Sequence, residues 1–140
     1  MQKFLKFVII LLFLTFGLTA CGQSSQIQKW NDKSSYKTAS SATTNYGSKL
    51  KFNKAKVLSV AYNADTNDTK YLIKSNGEYF VGSYKGKKEI DKGNILTGFG
   101  ISIGPGTITD SMEANGMAEE KYDHISVTMM DLDKLFIVKQ

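Results

Sequence analysis

The chain beyond Lys49 predicts an all-β fold, a small barrel of five or six strands. Three observations carry that expectation. Short alternating runs rich in Val, Ile, Tyr and Phe follow one another there, and these residue types suit a pleated, half-buried surface. Clusters of Gly, Asn, Asp and Ser separate the runs, among them Asn76-Gly77, the pair that favours a type I′ hairpin. Hardly any of the stretch carries a helical apolar stripe. About 90 residues make one small packed domain, and a sheet that closes on itself leaves no exposed edges.

Ala55 to Tyr62 is the first expected strand, with a bulge where Val57 and Leu58 place two apolar side chains in succession. Asp65-Thr66-Asn67-Asp68 is a turn cluster. Lys70 to Lys74 follows as the second strand, with Tyr71 and Ile73 on one face, and Glu78 to Tyr84 returns as the third after Ser75-Asn76-Gly77. The clearest strand is Asn94 to Ile103. Ile95, Thr97, Phe99, Ile101 and Ile103 share the face expected to be core, and Leu96, Gly98, Gly100 and Ser102 share the other, where glycine lets the strand coil or another backbone approach. Gly104-Pro105-Gly106 is expected to end it. Ser111 to Lys121 spaces Met112, Met117 and Ala118 in a loosely helical way, but Gly116 inside it costs about 1 kcal/mol relative to alanine. A loop with one or two helical turns is expected. His124 to Met130 and Leu135 to Lys139 read as two final strands separated by Asp131-Leu132-Asp133.

Ala55-Lys56-Val57-Leu58-Ser59-Val60, the later Asp91-Lys92-Gly93-Asn94-Ile95-Leu96-Thr97-Gly98 and a last β segment resemble the strand order of OB-fold domains, including those of small bacterial lipoproteins. The resemblance covers Ala55 to Val138 and implies a five-stranded barrel. It departs from the OB pattern at Lys85 to Gly93, too short for the usual helix between the third and fourth strands. An SH3-like barrel and an open meander are the alternatives.

At the N-terminus, Lys3 and Lys6 flank an apolar run, Phe7 to Leu18, broken by Thr15 and Gly17. The run is about a dozen residues and a spanning helix needs about 20, so length and flanks are those of an export signal. Leu18-Thr19-Ala20-Cys21 closes the run and contains the single cysteine. These residues resemble the lipobox of bacterial lipoprotein signal peptides. The resemblance implies cleavage between Ala20 and Cys21, a diacylglyceryl group on the Cys21 sulfur, and a mature protein anchored on the extracytoplasmic face of the cell membrane. Each buried CH₂ contributes about 0.8 kcal/mol, so two acyl chains anchor stably. Residues after Cys21 are then expected to need no membrane-binding surface of their own.

Residues 1–20 are thus read as signal peptide, 21–48 as lipidated cysteine plus linker, and 49–140 as barrel. From Gly22 to Ser48 the chain is mostly Ser, Gln, Thr, Asn, Lys and Ala, with isolated Ile27, Trp30, Tyr36 and Tyr46. That is too little apolar surface to offset ordering entropy. A flexible coil of about 26 residues spans about 25 to 30 Å.

All 18 basic residues are lysine, against 13 carboxylates, for a formal charge of +5, and Lys3 and Lys6 leave with the signal. Absence of arginine argues against a nucleic-acid partner, since arginine supplies most bidentate contacts to phosphate and guanine. Lysine alone gives weak, salt-sensitive attraction to anionic membranes or wall polymers. The heavy use of Lys, Asn, Ile and Tyr resembles low-GC Gram-positive bacteria.

No catalytic constellation stands out. His124 is the single histidine, near Asp131 and Asp133 in sequence but without a nucleophile motif. Zinc would need several Cys and His ligands. Gly98-x-Gly100-x-x-x-Gly104-x-Gly106 lies within and beyond a strand, not between a strand and a helix as nucleotide loops do. Asp65, Asn67 and Asp68 lack the rest of a calcium loop. No enzyme activity, cofactor or metal is expected. Two surface features are candidates for binding: the aromatic set Tyr62, Tyr71, Tyr79, Phe80 and Tyr84, able to stack on sugars or bases, and the basic turn Lys85, Lys87 and Lys88. The expected role is a non-enzymatic binding module for a cell-envelope protein or polymer. The alternatives are a protective lipoprotein that blocks a phage or bacteriocin, and an envelope hydrolase.

Overall fold

A computed structural model describes residues 23–33, 35–40, 45–109 and 119–139. The signal peptide and the Ala20-Cys21 junction lie outside the described residues, as do Met112, Met117 and Ala118. The chain divides into two units, Met1–Ser34 and Ser35–Gln140. In the first, residues 23–31 are helical where composition alone points to coil. Gln28 Nε2 donates to Asp32 Oδ1 (2.8 Å) and Lys33 Nζ lies 3.8 Å from the Trp30 ring centroid, pairs at the spacing that brings side chains together on a helix and at its end. No helix among the described residues is long and apolar enough to cross a membrane.

The second unit consists of β1 (Lys37–Thr38), β2 (Lys49–Asn63), β3 (Asp68–Ser75), β4 (Glu78–Lys85), β5 (Ile95–Thr107) and β6 (Ser126–Lys139), with a 3₁₀ turn at Glu120–Tyr122 before β6. The sheet order is β1-β2-β3-β4-β6-β5, and β2 also pairs with β5. β2 to β6 therefore close a five-stranded barrel, with β1 added in parallel on β2. β4 and β6 are parallel and the other barrel pairs antiparallel. This places the last strand between the third and fourth of the barrel. The order is OB-fold-like, and neither an SH3-like succession of antiparallel neighbours nor an open meander. Residues 86–94, between β4 and β5, contain no helix.

Local chemistry explains the joints. Asn76 and Gly77 both take positive φ (51° and 81°), as a type I′ turn requires, and Ser75 pairs with Glu78 across it. The bulge falls at Leu58, where the register with β3 shifts between Val57 and Ser59. β2 starts at Lys49, upstream of the expected Ala55, because Lys49-Leu50-Lys51-Phe52 already alternates with period two: Leu50 and Phe52 are buried.

The interior holds Leu50, Phe52, Val57, Tyr71, Ile73, Phe80, Leu96, Met130, Leu132 and Leu135. Here the expected core face of β5 is reversed. Leu96, Gly98, Gly100 and Ser102 face inward, while Ile101 and Ile103 are 36% and 43% exposed. The reason is room. A Cβ on Gly98 would overlap the Phe52 ring, and one on Gly100 would overlap the Asp131 carbonyl. Two further expectations fail for related reasons. β5 does not stop at Gly104 but pairs with β6 through Pro105 and Gly106 to Thr107, and Asp131-Leu132-Asp133 does not break β6. The register skips Asp133 between Phe99 and Gly100, so those residues form a bulge with buried Leu132 inside it. Past Ile101, β5 outruns its ladder with β2, and Pro105 lies in that overhang.

The packed unit also begins earlier than Lys49. Ala39 is buried in the core and its N–H donates to the Lys51 carbonyl (2.7 Å). Tyr36 meets Phe99 edge-on, ring centroids 5.4 Å apart, on the outer face of β5, and its hydroxyl donates to Asp133 Oδ2 (2.9 Å). Burial, then the hydrogen bond and charge of Asp133, push the Tyr36 pKa up to about 12. On the outer face of β3 and β4, a second cluster forms from Leu72, Val81, Ile108 and Val127, with Tyr79, Tyr122 and Ile125 packed against it.

Gly98→Ala and Gly100→Ala should each lower stability by about 1–3 kcal/mol, through overpacking. Were these glycines there for flexibility alone, alanine would be neutral or gain about 0.4–1 kcal/mol; urea midpoints separate the two outcomes. Because the Tyr36 pKa is raised in the folded state, its contribution is fully present below the ordinary tyrosine value and fades as pH rises towards about 12. The stability gap between wild type and Tyr36→Phe should accordingly hold at neutral pH and shrink in strong alkali, and a gap that widens there would contradict the hydrogen bond.

Candidate functional site

At the end of the barrel where β2 and β4 finish and β3 starts, two connections are bonded into one ledge. Asn63 Oδ1 accepts from the Asp65 and Thr66 N–H groups (2.9 and 3.4 Å), which folds the β2–β3 connection by an Asx-type turn. Gly86 N–H donates to the Asn67 carbonyl and Thr69 Oγ1 to the Gly86 carbonyl, both at 2.7 Å. Lys85 Nζ donates to the Thr66 carbonyl (2.7 Å) and pairs with Asp68 (3.4 Å). Ile90 is buried in the barrel core and pins the 86–94 connection. Asn94 Oδ1 then accepts from the Asp91 N–H (2.9 Å) as the chain turns into β5.

This ledge carries Tyr62, Tyr84, Lys85, Lys87 and Lys88. Tyr62 is 42% exposed and its hydroxyl donates to Asn67 Oδ1 (3.1 Å). Lys87 Nζ lies 5.5 Å from its ring centroid, and Lys88 Nζ lies 4.9 Å from that of half-buried Tyr84. Lys88 Nζ also reaches the Leu135 carbonyl (3.4 Å). Such cation–π contacts are worth about 0.5–1 kcal/mol at exposed sites, enough to bias where the ammonium groups rest. Beside them a cleft of about 430 Å³ is lined by Lys87, Lys88, Glu89, Asp91 and Asn94. Lys121 and Lys92 both hold the Glu119 carboxylate, Lys121 first, and keep its pKa down to about 2. That pairing ties the 86–94 connection to the segment before β6.

Of the binding candidates, the fold brings Tyr84, Lys85, Lys87 and Lys88 together with Tyr62 and leaves out Tyr71, Tyr79 and Phe80. Tyr71 is fully buried inside the barrel and offers no surface. Burial pushes its pKa up, opposed by neighbouring Thr69. The Thr69 hydroxyl is committed to Gly86, and Tyr71 Oη has no hydrogen-bond partner among the described residues. Tyr79 lies on the outer face of β4, its ring centroid 6.1 Å from that of Tyr122. That outer β3–β4 face is the usual OB binding platform, and here Ile108, Tyr122 and Ile125 pack against its Leu72 and Val81. Phe80 is core.

The ledge can stack flat rings against a ligand and offer cations beside them. His124 stands elsewhere, its side chain 82% exposed, at φ 59° with Asp123 Oδ2 at 3.0 Å. Among the described residues no group of three or more His, Cys, Asp and Glu could hold a metal ion. Sequence reading placed Asn67 in a turn without its part in the ledge and missed Asn94, whose signal was local: asparagine beside turn residues, able to cap a loop.

Tyr71→Phe should leave stability unchanged or raise it by up to about 1 kcal/mol, since an unpartnered buried hydroxyl is removed. Ligand binding should be unaffected; a marked loss of either in denaturation or titration would reveal a role for the hydroxyl. No family model, curated protein or solved structure matches this chain.

Proposed function

We propose that the chain is an acylated lipoprotein on the extracytoplasmic face of the cell membrane, whose barrel binds a cell-envelope protein or polymer without catalysing a reaction. The observation that carries the binding role is the gathering of Tyr62, Tyr84, Lys85, Lys87 and Lys88 on one ledge from separate stretches of sequence. Flat rings favour sugar faces or apolar side chains, and the lysines favour phosphate or carboxylate. The anchor rests on the resemblance of Leu18-Thr19-Ala20-Cys21 to a lipobox, and on an apolar run too short to span.

Cys21→Ala should yield an unprocessed precursor or a protein lost from the membrane; a normal-sized, membrane-held mutant on a blot contradicts the anchor. Lys87→Glu with Lys88→Glu should weaken capture of the partner from native envelope extracts by about tenfold or more, as expected when two close charges are reversed. The circular dichroism spectrum should stay unchanged. Undiminished capture by that variant, and by Tyr62→Ala, would move the binding surface elsewhere.

A further inference from the structure

We infer that the opposite end of the barrel is built to rest on an anionic phospholipid surface, a proposal that stands on the anchor reading above. Where β5 outruns β2, residues 45–48 are laid beside it by two hydrogen bonds, Gly47 N–H to the Ser102 carbonyl and Ser102 N–H to the Ser48 carbonyl, both 2.8 Å. Next to that junction lie Tyr46, 83% exposed, and the outward Ile101 and Ile103. Ile101 has Lys49 as its neighbour on β2 and Asp131 on β6, and Lys51 faces Phe99 one step along. An amphipathic ring, two exposed aliphatic side chains and bordering cations suit the headgroup boundary of a bilayer: the apolar groups enter it and the ammonium groups meet phosphate.

Charge is segregated to match. From Ser35 to Ala64 the sequence contains Lys37, Lys49, Lys51, Lys54 and Lys56 and no carboxylate, and β5 carries no charged residue. Among the described residues, Asp131 and Asp133 lie beside the rim on β6 and Glu78 lies by Pro105 farther along β5, and Asp133 accepts the Tyr36 hydrogen bond. The chain also arrives here, since β1 pairs with Leu50 and Lys51 near the start of β2. About a dozen residues separate Cys21 from Ser35. With residues 23–31 helical, that stretch reaches about 30 Å at most, so an acylated Cys21 keeps this rim close to lipid. The barrel's own surface then supplies what the acyl chains do not, an orientation. β2 leads from the rim to the ledge of Tyr62, which is left pointing away from the bilayer.

The test uses protein extracted from its own membrane, with Cys21 acylated and one introduced cysteine as the free thiol. An environment-sensitive fluorophore is placed at Asn45→Cys or at Lys87→Cys, and the protein is reconstituted into phosphatidylcholine vesicles with or without phosphatidylglycerol. The probe at residue 45 should shift to the blue and be quenched by nitroxide-labelled lipid when phosphatidylglycerol is present, while the probe at residue 87 stays water-like. Lys49→Glu with Lys51→Glu, and separately Ile101→Ser with Ile103→Ser, should reduce the docked fraction by on the order of tenfold. The proposal is overturned by a water-like probe at residue 45 in both vesicles, by an equal response at residue 87, or by a response that requires added glycerol-phosphate polymer. A second free thiol, detected at Cys21 before any vesicle is added, defeats the anchor reading separately; the same probes then judge the surface by itself.

Discussion

Five strands enclose barely more room than a handful of large side chains needs, and the rest of the molecule follows from how that room is shared. Phe52, Leu132 and Leu135 enter the interior where β4 and β5 supply Gly82, Gly98 and Gly100. Large residues against small ones fill a narrow barrel at interior density. Once the inner face of β5 is given to glycine, its bulky residues must face out. Phe99 is covered there by Tyr36 and touches Phe136 edge-on, ring centroids 6.4 Å apart. Ile101 and Ile103 are not covered. An interior shortage of space thus explains both why a short N-terminal strand is strapped to the barrel and why an aliphatic rim is left bare.

Much of this was legible from residue order. The β3–β4 hairpin follows from Asn76-Gly77, the Leu58 bulge from two apolar neighbours, and the lack of a helix before β5 from the length of that connection. What was misread had a common cause. Periodicity gives two faces of a strand but does not say which one looks inward, and the bulkier face of β5 is the outer one. Asp131-Leu132-Asp133 has the composition of a turn, yet a bulge hides Leu132 and offers Asp133 to Tyr36. Two residues of β1 are too few for any period to register. The lysine and tyrosine ledge was half legible: its basic turn stood out as a run, but only tertiary closure brings Tyr62 beside Lys87 and takes Tyr71 out of reach.

The two ends of the barrel differ in chemistry, and the wall between them is largely self-satisfied. On the outer β3–β4 face, Leu72 and Val81 are fully buried, with Ile108, Tyr122 and Ile125 packed in the same cluster. With that face committed to folding, exposed rings, lysines and aliphatic side chains gather at the ends of the barrel. One end combines tyrosine rings with lysines, and the other combines aliphatic side chains with Lys49 and Lys51. The proposed division, partner at one end and lipid at the other, uses that difference without asking either end to move.

The overhang of β5 bears on crowding. Beyond Ile101 the strand has lost β2, residues 47 and 48 bond Ser102, and an unpaired strand edge is what lets neighbouring molecules zip together into aggregates. Pro105 sits in that run without an N–H to give, and Gly104 before it has turned to φ 110°. Molecules crowded together would meet through a seam that refuses to knit.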